Sequence, residues 1–194
     1  DAAEGSVRWT FMADGPVRIA PVVADGRVYV CADDGWVYCL RQGDGGLIWK
    51  YRGGPEERRL PGNGRMISLW PVRCGIVVDG GVAYFCAGLF PEHGAWLCAV
   101  SADSGKEVWK QSIGVVAQGN LLAAGAHLYV PTGRTAPVAF ERATGARVAS
   151  LPGAGQNRLA GGCFAAIVDD LIMYSAGESG GIHSGSPVSK EKLL

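Results

Sequence analysis

Hydrophobic residues in this chain come in short runs, cut off by Gly, Asp and Asn and interleaved with polar positions. Residues 22–23, 27–31, 36–40 and 47–51 set the pattern. Each run is rich in Val, Ile, Leu, Tyr or Trp, too brief for a helix, and bounded by turn dipeptides such as Asp25-Gly26. The pattern predicts four strands in a meander. Asp-Gly and Gly-Gly pairs supply the positive φ angles that tight hairpins need.

The pattern then repeats. Four phrases, at residues 1–9, 41–49, 101–109 and 141–149, carry Gly5, Gly45, Gly105 and Gly145, spaced 40, 60 and 40 apart. Trp9, Trp49 and Trp109 follow their glycine by four residues, and the fourth copy has Ala149 instead. The chain holds only six Trp, so three in one register mark a true repeat. Upstream of the phrases, Tyr29, Tyr84, Tyr129 and Tyr174 each follow a turn and sit among apolar neighbours. Packing between sheets is the reading for these tyrosines.

A single four-stranded unit cannot bury both of its faces. Stacking such units around an axis covers them and leaves only short protected edges. Four strands per roughly 40–50 residues point to the same solution. The expected fold is all-β: a partial β-propeller of four-stranded antiparallel blades, about three full blades plus parts of two. The divisions are the tail of a preceding blade (1–13), a blade (15–52), an inserted loop (53–69), blades at 70–113 and 118–152, and the start of a further blade (161–194). A ring needs about four to eight blades. The expectation is therefore an arc whose remaining blades lie in a longer parent propeller.

Composition narrows the function classes. Hydrophobic residues make up 48% and charged residues 19%, as in a globular protein. Lys plus Arg equals Asp plus Glu at 18 each, a balance that favours no nucleic-acid partner. The most apolar stretch, residues 163–176, is broken by Asp169 and Asp170 and is too short for a transmembrane segment. The chain opens on Asp1, which fits a removed signal peptide or a fragment. The six cysteines form no CxxC, CxxCH or adjacent pair, which argues against zinc and c-type haem.

The phrases, with a small residue leading at Cys39 and Ala99, resemble the tryptophan-docking motif of the pyrroloquinoline-quinone-like, or quinoprotein-type, β-propeller repeat family. In that family the Trp covers the small residue of its own phrase and the Gly peptide of the next blade. The resemblance implies that Trp9 docks on Gly45, Trp49 on Gly105 and Trp109 on Gly145. An indole suits this task, having a flat apolar face and one N–H donor. Ala149 offers no indole, so the link onward from the third blade is expected to be weaker or differently made.

The resemblance also implies what a catalytic member would carry: a quinone stacked between an aromatic ring and an adjacent-cysteine disulfide, calcium held by a carboxylate and an amide, and an Asp base. No such set is visible, so no catalytic, metal or cofactor-binding residue is assigned. No cofactor is expected from this chain; pyrroloquinoline quinone and calcium belong only to the alternative reading. Asp33-Asp34-Gly35 and Asp169-Asp170 read as hairpin turns, and His93, His127 and His183 as isolated histidines.

The informative irregularity is the extra length ahead of the second blade. Insertions in repeat folds gather on one face, often the binding face. Arg58, Arg59, Arg65, Trp70 and Arg73 are the candidate partner-binding residues, with arginines able to grip a carboxylate or phosphate and a bland alternative in which they pair with Glu56 and Glu57. The loop at 89–96, with Pro91, His93 and Trp96, is a secondary candidate. The first functional reading is a non-catalytic binding or scaffold module that meets a protein or small-molecule partner through its loops. The alternative is a fragment of a quinone-dependent alcohol or sugar dehydrogenase. Both kinds of family member imply the periplasm or cell envelope.

Overall fold

The computed structural model describes residues 3–62, 64–133, 135–148, 163–175 and 188–193. The first complete sheet is a meander of β1 (Val22–Ala24), β2 (Arg27–Cys31), β3 (Trp36–Arg41) and β4 (Leu47–Arg52), each antiparallel to the next. A two-stranded hairpin follows, β5 (Arg59–Gly62) with β6 (Arg65–Ser68). The segment expected as a plain loop thus contains paired strands. After β7 (Cys74–Gly75) comes the second four-stranded sheet: β8 (Val77–Asp79), β9 (Val82–Ala87), β10 (Trp96–Ser101) and β11 (Glu107–Ser112).

The third unit opens with β12 (Gly119–Asn120), which pairs in parallel with β7. It continues as β13 (Leu122–Ala124), β14 (His127–Val130) and β15 (Val138–Glu141), and an isolated bridge from Phe140 to Arg147 marks its outer position. The last unit is β16 (Ala165–Val168), β17 (Leu171–Ser175) and β18 (Val188–Lys192). The first strands β1, β8, β13 and β16 neighbour one another in succession, so the sheets stand radially around a common axis.

Sheet faces meet in apolar layers. Tyr29, Val37 and Trp49 of the first sheet join Tyr84, Phe85, Leu97 and Val100 of the second in the main core, which runs on to Leu128 and Phe140. Phe85, Leu97 and Leu128 are wholly buried. Burying side chains of this size contributes about 1.5–3 kcal/mol each. A smaller cluster, Tyr129, Ala139, Ile172 and Tyr174, joins the third unit to the last. Ala149, where the missing indole bears on that junction, lies outside the described residues.

In such a meander the first and third turns of each sheet lie at one end, and the middle loop lies at the other with the sheet-to-sheet connections. The docking turns occupy the first end. The inserted hairpin, the Asp33-Asp34 turn and the 89–96 loop occupy the second, where the backbone ties them together: Ser68 N–H donates to the Asp33 carbonyl (2.7 Å) and Gly88 N–H to that of Pro71 (3.1 Å).

Candidate functional site

At the docking end, three indoles make the same contact. Trp9 Nε1 donates to the Gln42 carbonyl (2.8 Å), Trp49 Nε1 to that of Ala102 (2.9 Å), and Trp109 Nε1 to that of Arg142 (3.2 Å). Each acceptor lies three residues before the glycine of its phrase. The rings cover those glycines. A Cβ placed on Gly45, Gly105 or Gly145 would lie 2.6, 2.7 and 2.6 Å from the Trp9, Trp49 and Trp109 rings. All three glycines have φ near +70° (72°, 69° and 70°), a conformation that only Gly adopts freely.

Two local features aim the indoles. Opposite Trp49 stands Cys39, and opposite Trp109 stands Ala99, small residues that leave room for the ring. Just past each pair the register slips by one residue, leaving Ile48 and Val108 as bulges on the outer strands. Such bulges re-aim neighbouring side chains. Tyr29 and Tyr84 then pack against the indoles of their own sheets, with centroids 5.9 and 6.1 Å apart. The Tyr29 hydroxyl reaches the same Ala102 carbonyl (3.3 Å). Ion pairs flank the docking, Arg27 with Asp103 at 2.8 Å and Arg142 with Asp79.

At the opposite end the candidate arginines divide. Arg73, read as a contact residue, is turned inward: its Nε and an NH2 donate to the Asp33 carboxylate at 2.7 and 2.9 Å. Arg18 adds a third donor to Asp33 at 2.6 Å. Asp33 is 0% exposed, and a buried carboxylate needs such partners. Beside it Asp34 accepts from Tyr38 Oη (2.6 Å) and from the Trp36 and Asp14 N–H groups. The Asp33-Asp34 turn is therefore a clasp holding the connections that lead into the first and second sheets. Its partners lie 15 and 40 residues away in sequence, and nothing local announces them.

Trp70 is also inward. It is 5% exposed, lies over Gly54, and donates from Nε1 to the His93 carbonyl at 2.8 Å, binding the insertion to the 89–96 loop. It anchors the hairpin rather than meeting solvent. Leu60 packs partly buried against the core, and Ile67 is buried beside Gly62 within the hairpin. What remains outside is Arg58, Arg59 and Arg65, all exposed, with Met66 half exposed beside them. Arg59 shares Glu57 with Arg52, each at 3.2 Å. The side chains of Arg58 and Arg65 have no ion pair or hydrogen bond among the described residues. Near this end a depression of about 380 Å³ is lined by Leu89, Pro91, Val115, Val116, Gln118, Thr132 and Thr135.

No group of three His, Cys, Asp or Glu among the described residues could hold a metal ion, and both buried carboxylates are already satisfied by protein donors. The described cysteines are free thiols: Cys31, Cys39, Cys74, Cys86 and Cys98 are buried and Cys163 is exposed.

Fold and docking together define an arc of a β-propeller whose sheets are joined by tryptophan. The family described as outer membrane protein assembly factor BamB matches residues 1–95 and again 65–185, so the chain belongs to this pyrroloquinoline-quinone-like propeller family. BamB of Yersinia pestis is 34% identical over 124 residues, 59% of this chain and 28% of that protein. The quinohemoprotein alcohol dehydrogenase of Comamonas testosteroni is 34% identical over 113 residues, 57% of this chain and 14% of that one. The chain thus spans under a third of either relative. Among solved structures, BamB from Moraxella catarrhalis superposes with a TM-score of 0.62 at 14% identity, covering 89% of this chain and 47% of that one.

Proposed function

We propose that this chain is a non-catalytic scaffold module of the cell envelope, binding a protein partner through the β5–β6 hairpin. The observation that carries the reading is the division of the insertion. Trp70 and Leu60 root it in the core, while Arg58, Arg59 and Arg65 stand outward with little to occupy them. A rigid arm that displays cationic side chains suits an acidic or carbonyl-rich protein surface. The likeness to an outer membrane protein assembly factor supports an envelope location and a partner in assembly. No cofactor enters this reading.

The test is photo-crosslinking in cells from a reactive residue at position 58 or 65. The expected result is a crosslink to a component of the outer-membrane assembly machinery, abolished in an Arg58→Ala, Arg59→Ala, Arg65→Ala variant of unchanged melting temperature. Quinone-dependent dye reduction on addition of pyrroloquinoline quinone and calcium would instead support the dehydrogenase alternative.

A further inference from the structure

Arginines on an exposed arm bring a partner in but do not by themselves hold it. Exposed ion pairs contribute little net free energy, and rim charges act mainly on the rate of encounter. Lasting protein contacts depend on an apolar side chain seated in a pocket and closed off from water. A seat of that kind lies at the same end of the molecule as the β5–β6 hairpin. The depression of about 380 Å³ forms where three connections converge: the 89–96 loop, the stretch between β11 and β12, and the loop between β14 and β15. An apolar cavity of about 150 Å³ already takes a benzene ring, so this one has room for a large aromatic or aliphatic side chain.

Its walls are largely apolar and their shape is set in advance. Leu89, Pro91, Val115 and Val116 supply carbon surface, and no lining residue is charged. Val115 and Val116 pack against the core yet are only partly buried, which leaves apolar surface for a further contact. The Pro91–His93 turn is closed by His93 N–H donating to the Phe90 carbonyl and Gly94 N–H to that of Pro91, both at 3.0 Å. On the third unit the Thr132 and Thr135 hydroxyls bond each other at 2.7 Å, and Gln118 N–H donates to the Pro131 carbonyl at 2.8 Å. Walls fixed beforehand spare the cost of ordering them on binding. Gln118 Oε1 accepts from Cys163 Sγ (3.6 Å), while its Nε2 has no hydrogen-bond partner among the described residues and can donate to a peptide carbonyl.

We propose that this depression is the anchor seat of the surface whose cationic arm is the hairpin. The partner fills it with one aromatic or aliphatic side chain, on a segment whose flanking carboxylates meet Arg58, Arg59 and Arg65. The inference rests on the hairpin reading above and adds to it the chemistry that the partner must present. Charge fixes that chemistry. The lining carries no charge, so an ionised group entering it would lose its water without gaining a counter-ion. Seat and arm are one piece of structure: Trp70 of the insertion holds the His93 carbonyl at 2.8 Å, and Leu89 and Pro91 of the same loop form part of the seat. Glu92, exposed on that loop, repels carboxylates there, so the acidic flank belongs on the arginine side.

The experiment places a diazirine side chain at position 116 or 135 of the full chain in cells, beside the hairpin series at positions 58 and 65, and maps every adduct by mass spectrometry. The protein captured from 58 and 65 should also be captured from 116 and 135. The adduct from 116 should fall on an apolar side chain, with the hairpin adducts a few residues away among carboxylates. Thr135→Asp sets a carboxylate at the seat on an exposed loop and should cut the hairpin crosslink by about tenfold at unchanged melting temperature, while Thr135→Asn should keep most of it. Capture from 58 and 65 with none from 116 and 135 overturns the anchor seat and leaves the hairpin reading standing. Capture from 116 and 135 alone, or from no position, overturns both. An adduct from 116 on a charged residue, or a hairpin crosslink that Thr135→Asp leaves unchanged or that both variants lose equally, also overturns the proposal.

Discussion

The indole of Trp49 lies on Gly105 of the neighbouring sheet and holds the carbonyl of Ala102 at 2.9 Å. One side chain thereby spans a sheet boundary by packing and by hydrogen bond at once. Trp49 is 7% exposed. Its truncation removes the apolar face, opens a cavity and leaves the Ala102 carbonyl only the longer contact from the Tyr29 hydroxyl (3.3 Å). Trp49→Ala should therefore lower unfolding free energy by about 3–5 kcal/mol, read from the midpoint in urea. Trp9, less buried and at the edge of the arc, should cost clearly less on the same assay.

The buried clasp makes a second prediction. Asp33→Asn removes the charge that Arg18 and Arg73 share, and Arg73 is only 22% exposed. Breaking a buried pair by removing one partner costs about 3–5 kcal/mol, less the share of Arg18, which water can still reach. A loss of about 2–4 kcal/mol is expected on chemical denaturation. Arg58→Ala and Arg65→Ala, by contrast, should stay within about 0.5 kcal/mol of the parent.

Much of this was legible beforehand, and the boundary between legible and hidden is physical. The docking turns depend on residue identity over a few positions, Gly at positive φ and Trp four residues later, so the phrases disclose them. The four-stranded meanders show through alternation and turn dipeptides. The β5–β6 hairpin was hidden because Gly62, Pro61 and the arginines mask its Leu60 and Ile67 pairing. Arg73 and Trp70 stand among the sequence's candidate partner-binding residues because their partners, Asp33 and the His93 carbonyl, are tertiary neighbours. The bulges at Ile48 and Val108 leave no trace in composition at all.

The thiols give a pH prediction. Burial pushes Cys98 up to about 12 and Cys39 up to about 11, from an ordinary 9.0. Below pH 9.0 both states keep these protons and stability is unaffected. Above it the unfolded chain ionises first, so stability falls as pH rises towards the folded values. Each of these buried thiols steepens the loss of stability across that window. Denaturation midpoints at about pH 8 and about pH 10.5 measure this directly. In the same vein, a thiol reagent should find Cys163 in the native protein and all six cysteines only after unfolding.

The most direct test of the docking itself is a double-mutant cycle on Trp49 and Gly105. Gly105→Ala forces both a strained φ of +69° and a collision with the ring, whereas Gly26→Ala, at φ +71° with nothing within 4 Å, pays the backbone strain alone. With Trp49 in place, Gly105→Ala should cost about 1–2 kcal/mol more than Gly26→Ala, and in a Trp49→Ala background that excess should vanish. Costs that add to within about 0.3 kcal/mol would mean that the two residues do not hold the sheets together.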